Sequence, residues 1–118
     1  LAPEGWRIPT WEDWDILRTT LGGHILAGGK IKKRGNEIWE EPNKLVDPDC
    51  GFNAYPSGHF DNILDYKFKS LGIITFWWTS TIYDPRRTWH FVIKNDNTGM
   101  WEGAEQWNFF ISVRCIKE

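Results

Sequence analysis

Residues 73–80 read Ile73-Ile74-Thr75-Phe76-Trp77-Trp78-Thr79-Ser80, and this run decides the fold class. β-Branched and aromatic residues dominate it, as in a central strand. Successive side chains of a strand point to opposite faces, so the adjacent Trp77 and Trp78 need apolar cover on both sides. One indole is expected against a helix and the other beneath loops. Downstream, residues 88–94 alternate, with Trp89, Phe91 and Ile93 on one face and His90 and Lys94 on the other. Asn95-Asp96-Asn97-Thr98-Gly99 reads as a turn. A short strand near 100–102 is expected to pair back. Residues 109–116 alternate again, placing Phe109, Ile111, Val113 and Cys115 on an apolar side.

Upstream of this β-rich third lies one clear helix. Thr10 follows Pro9 as an N-cap, and Asp13 stands three residues on, a capping box with a shortened acid. Glu12, Asp13 and Asp15 place negative charge near the positive end of the helix dipole. Trp14, Leu17 and Leu21 recur at helical spacing, and Gly22-Gly23 ends the element. The helix is expected at about 11–21. Residues 24–72 are rich in Gly, Pro, Asn and Asp and read as long ordered loops with short strands. Trp39, Phe52, Tyr55 and Phe60 give them apolar weight. The expected architecture is α+β: one or two helices on a small, mostly antiparallel sheet with long loops.

The chain has 118 residues, which suits one domain. Nine of them are tryptophan, against roughly one or two for ordinary composition. A net charge of −2 argues against a nucleic-acid binder. Lys30, Lys32, Lys33 and Arg34 form a short basic run, expected to be solvated. No apolar stretch reaches the ~20 residues of a membrane span. Leu1 points to an excised module or mature fragment. Cys50 and Cys115 are compatible with one disulfide or two thiols, and neither they nor the scattered His24, His59 and His90 suggest metal.

Several segments together resemble one family. Gly5-Trp6-Arg7-Ile8-Pro9-Thr10 with Glu12-Asp13-Trp14, Ala27-Gly28-Gly29-Lys30-Ile31-Lys32, Gly51-Phe52-Asn53-Ala54, Phe76-Trp77-Trp78-Thr79-Ser80-Thr81 and Ser112-Val113-Arg114-Cys115-Ile116 resemble, in order, the Fibrobacter succinogenes major paralogous domain. The helix start and the Trp-Thr-Ser strand are also similar to formylglycine-generating-enzyme-like domains. The resemblance implies a C-type-lectin-like fold over residues 1–118, with an upstream strand absent from this chain. It also implies an extracellular or cell-surface bacterial location and a role as a binding scaffold within a larger protein. Family members often carry a cysteine where this chain has Ala2. A relocated Cys50–Cys115 disulfide is one expectation from that pattern, and two buried thiols are the other.

Other chemistries fit less well. Glu41-Pro42-Asn43 has the residue order of a calcium-dependent lectin motif, but Trp107-Asn108 only half-matches its partner motif. Cys115 lies on an apolar face, where a thiol is ordinarily inert. Lys30 is followed by Ile31, so the Gly23–Lys30 segment is no phosphate loop. Glu102 with Glu105, or Asp61 with Asp65, would be the carboxylate pairs for hydrolysis. No enzyme activity, cofactor or metal is expected.

The aromatics divide into two sets. Trp6, Trp14, Trp77 and Trp78 are assigned to the core, and Trp11 to the start of the helix. The resemblance places a ligand face on the loops of the C-terminal half. The expected site therefore lies in 83–108, with Trp89, Trp101 or Trp107 as platform and Tyr83, Asp84, Arg86, Arg87, Asn95, Asp96, Glu102 and Asn108 around it. Such a surface suits a glycan, whose CH-rich face stacks on a ring. It equally suits a cell-surface protein, since Trp, Tyr and Arg dominate binding hot spots. A structural spacer is the third reading.

Overall fold

A computed structural model describes residues 1–61, 67–106 and 108–118. The described residues form a small α+β fold with two helices and three antiparallel sheets. The main helix, α1 (Trp11–Thr20), begins with the capping box: Thr10 Oγ1 accepts from Asp13 N–H, and the Asp13 carboxylate accepts from Thr10 N–H. Asp13 also takes two bonds from Arg7, which together with Thr10 hold its carboxyl at a pKa of about 2. Gly23 N–H closes the helix on Arg18 C=O, with Gly22 and Gly23 both at positive φ. A second, one-turn helix, α2 (Ala27–Ile31), follows within the segment expected to be loop.

The Trp77-Trp78 run becomes one edge of a three-stranded antiparallel sheet. We number the strands of this sheet in chain order: β1 (Ile74–Asp84), β2 (Arg87–Lys94) and β3 (Trp101–Gln106), with β2 in the middle. Two smaller ribbons complete the fold. Residues Trp6–Arg7 pair with Ile116–Lys117, and His59–Asp61 pair with Lys67–Lys69.

The core forms on the β1–β2 face turned to α1. Trp14 stacks on Trp77 (5.1 Å between centroids) and Phe91 (5.9 Å), and Phe52 meets Trp77 edge-on. Burying one indole removes roughly 200 Å² from water, ~5 kcal/mol by area. Trp39 completes the cluster, donating its indole N–H to Ala54 C=O at 3.0 Å. α2 packs so closely on the 98–99 backbone that a β-carbon at Gly28 would fall 1.9 Å from Gly99 C=O. Only glycine permits that approach.

The structure departs from the sequence pattern at several residues. Trp6 is 43% exposed, because its two-residue strand pairs only at the margin with Lys117. Lys32, expected in a solvated run, is fully buried: its ammonium donates to Lys44 C=O (2.7 Å) and Asn97 C=O (3.0 Å) and lies over Trp39. Burial lowers its pKa to about 8. Residues 109–116 are not one strand. Phe110 bridges Phe60 and Ser112 bridges Trp77, so the alternation answers to two different partners. Val113 is exposed. Cys50 and Cys115 are free thiols in the structure, so the bridge between them is not formed there.

His90, assigned to the polar side of its strand, is buried as well. It packs edge-on to Phe76 and against Trp78, over Gly103, where any side chain would collide with its ring. Burial lowers its pKa from 6.5 to about 4. The folded state therefore binds fewer protons than the unfolded chain between those values. This contribution to stability is complete above pH 6.5 and is lost as pH falls toward 4, by about 3 kcal/mol at most. Urea denaturation across this window is expected to show a His90→Leu variant losing less stability than the parent. Parallel pH profiles for the two would contradict the assignment.

Candidate functional site

The residues expected to bind are distributed over two ends of the sheet. At one end, the β1–β2 hairpin turns through Pro85 and Arg86. Asp84 closes the turn: Oδ1 accepts from Arg86 N–H (2.9 Å), and Oδ2 accepts from Arg87 Nε (2.8 Å) and the terminal guanidinium (2.6 Å). These bonds, Arg87 foremost, lower the Asp84 pKa. The Arg87 guanidinium lies 4.6 Å over the Tyr83 ring, and Tyr83 meets Trp89 edge-on at 4.9 Å. Trp89 in turn leans on Trp11. Tyr83, Asp84, Arg86, Arg87 and Trp89 thus form one cluster, in which the Asp84 carboxylate is matched by Arg87. Ile82 and Tyr83 are exposed beside it.

The other end holds Asn95, Asp96 and Trp101. Asn95 is buried, with its amide donating to Glu40 and Glu41 carbonyls and its own C=O accepting from Lys44 N–H. It fixes the 40–44 loop and has no face left for a ligand. Asp96 is exposed and accepts from the Asn97 amide. Trp101 pairs with Val92, five residues along β2 from Arg87, roughly 17 Å away at strand spacing. The expected site is therefore two separate surfaces.

Among the described residues, Trp101 is the exposed indole of the expected set, at 41%. Its orientation is fixed from two sides. The ring lies on the Gly99 backbone, so closely that a β-carbon there would fall 2.4 Å from Nε1. The His24 ring packs against it at 5.7 Å and 40°. His24 is held by its own backbone, whose C=O accepts from Met100 N–H at 2.8 Å. Its Nε2 stands 3.8 Å from Glu102 Oε2. Exposed Ile25 and Leu26 continue the surface. His24 lies 77 positions before Trp101, and no local pattern in the sequence marks their meeting.

Glu102 faces the helix side of β3 and is bonded by the buried Arg18 guanidinium, which also donates to Asp15 (2.7 Å) and Met100 C=O (3.3 Å) and lies over Phe91. Glu105 falls on the opposite face of β3, beside His59 and Phe76. The two carboxylates cannot act as a hydrolytic pair. Asp65 and Trp107 lie outside the described residues, so neither the Asp61–Asp65 pair nor the Trp107 platform is placed. Asn108 is part-buried, its Oδ1 without a partner among the described residues. Also among the described residues, no group of three His, Cys, Asp or Glu could hold a metal ion, and no helix is long and apolar enough to cross a membrane.

Buried Trp39 and exposed Trp101 should respond differently to truncation. Trp39→Ala is expected to cost about 3–5 kcal/mol in urea denaturation, as a core aromatic does. Trp101→Ala should stay within about 1 kcal/mol of the parent, as for a surface side chain. Equal losses would contradict this division.

Residues 1–117 match the Fibrobacter succinogenes major domain, and the chain belongs to that family. No curated protein and no solved structure matches it.

Proposed function

We propose that this member of the family is a non-catalytic binding module whose ligand is a glycan seated on Trp101. The proposal takes the small α+β fold as C-type-lectin-like and the host as a secreted or surface-tethered bacterial protein, as the family resemblance implies. The observation that carries it is the part-exposed Trp101 ring, whose position is fixed by contacts with the Gly99 backbone and the tilted His24 ring. A sugar stacks its CH face on such a ring without ordering it first, which removes part of the entropic cost of binding. His24 and the part-exposed Glu102 stand at the rim with a donor and an acceptor for hydroxyl groups. Glu102 is fixed in place by Arg18, so it serves as a static hydrogen-bond partner in this reading.

A protein partner on the hairpin tip is the second reading. What favours it is the exposed Ile82 and Tyr83 beside Arg87 and Trp89, the residue types that dominate interfaces. The two surfaces are far enough apart for point variants to separate them.

A glycan-array screen followed by calorimetry on a captured sugar tests the proposal. Trp101→Ala is expected to weaken binding at least about tenfold, ~1.4 kcal/mol, and His24→Ala less. Tyr83→Ala should leave affinity unchanged, and a chelator should have no effect. Binding lost with Tyr83→Ala but retained with Trp101→Ala would move the site to the hairpin tip. Absence of any captured glycan would reject the sugar reading.

A further inference from the structure

A cavity of about 320 Å³ opens between α1 and the last residues of the chain, away from both surfaces described above. Its floor is apolar: Trp14 and Leu17 from the helix, Phe52 from the central loop, and Ile116. Its rim is cationic. The Arg114 guanidinium lies 4.1 Å over the Phe52 ring and gives one N–H to Phe52 C=O at 3.1 Å. Its other N–H groups and the Lys117 ammonium form no ion pair among the described residues. Asp13 also borders the cavity, but Arg7 and Thr10 occupy its oxygens, so its charge is already matched.

An apolar hollow of this size with a few convergent polar groups is the ordinary form of a small-molecule site. The sign of the rim selects the ligand. Two cations without counter-ions among the described residues favour an anion, and a guanidinium favours a planar carboxylate that can take two parallel N–H bonds. The floor selects a ring or branched aliphatic body. We propose that this cavity binds a small amphipathic carboxylate, its apolar body on Trp14, Leu17 and Phe52 and its carboxylate on Arg114, with Lys117 adding charge.

Cys115 also lines the cavity, whereas Cys50 is exposed elsewhere. Each thiol reports on its own surroundings. The test follows iodoacetamide alkylation of both thiols by mass spectrometry during a titration with 3-phenylpropionate. At ten times its dissociation constant the acid is expected to slow labelling of Cys115 about tenfold, following the occupied fraction, and to leave Cys50 unchanged. The neutral isostere 3-phenylpropanamide should bind at least about tenfold more weakly, as should the acid to Arg114→Gln. In parallel, ¹H–¹⁵N spectra should show shifts at Leu17, Phe52, Cys115 and the Trp14 indole. Leu17→Trp, which fills the hollow, should abolish them. These spectra decide the matter if Cys115 proves unreactive without ligand. No shift in these resonances, or equal binding of acid and amide, would overturn the proposal.

Discussion

The buried guanidinium of Arg18 is the interaction on which the rest of the molecule depends. It projects from the inner face of α1 over Phe91 and meets Glu102 of β3 and the carbonyl of Met100 just before that strand. A charge so deep is tolerated only when partners surround it, and removing one leaves the other uncompensated at a cost of several kcal/mol. Helix and third strand are thereby fixed to one another. The same bond sets the position of Glu102, and through the adjacent Met100–His24 backbone bond it sets the ground on which Trp101 rests.

Lys32 does for the loops what Arg18 does for the sheet. Its ammonium ties the 44 and 97 carbonyls together, so the central loop and the 95–99 turn are held by an internal cation. Asn95 adds three more bonds across the same junction. Long loops with little regular structure can stay ordered when their backbone groups are satisfied in this way. Both cations touch the aromatic core, Arg18 at Phe91 and Lys32 at Trp39, and this core supplies the apolar burial that offsets their desolvation.

The helix was legible because its signals are local: a capping box at Thr10–Asp13, an apolar repeat, and two glycines at the stop. The strand around Trp77-Trp78 was equally plain, since two adjacent indoles must be covered on both faces. Where partners are distant in sequence, the reading failed. Lys32 looked like part of a solvated run, because nothing near it announces carbonyls from residues 44 and 97. His90 looked polar by alternation, yet the second face of the sheet is also covered. Trp6 looked like core, yet it sits at the margin of a two-residue ribbon.

The candidate site was half legible. Composition pointed to aromatic residues and the family resemblance to the C-terminal half, and Trp101 lies outside the core. Its partner His24 comes from the loop after α1, and Glu102 proves to be tied to a buried arginine. Neither relation leaves a mark on neighbouring residues. What periodicity cannot convey is which strand end a residue occupies, and this is why one expected surface resolved into two.

The central claim is that Trp101 is held in one orientation with its outer face in water. Solvent relaxation enhancement of the indole ring protons by a dissolved paramagnetic chelate measures this directly. The account predicts strong enhancement for the Trp101 ring together with a single sharp set of resonances, while Trp14, Trp39 and Trp77 stay protected. A Trp101 ring as protected as these three, or one broadened by exchange between orientations, would contradict it.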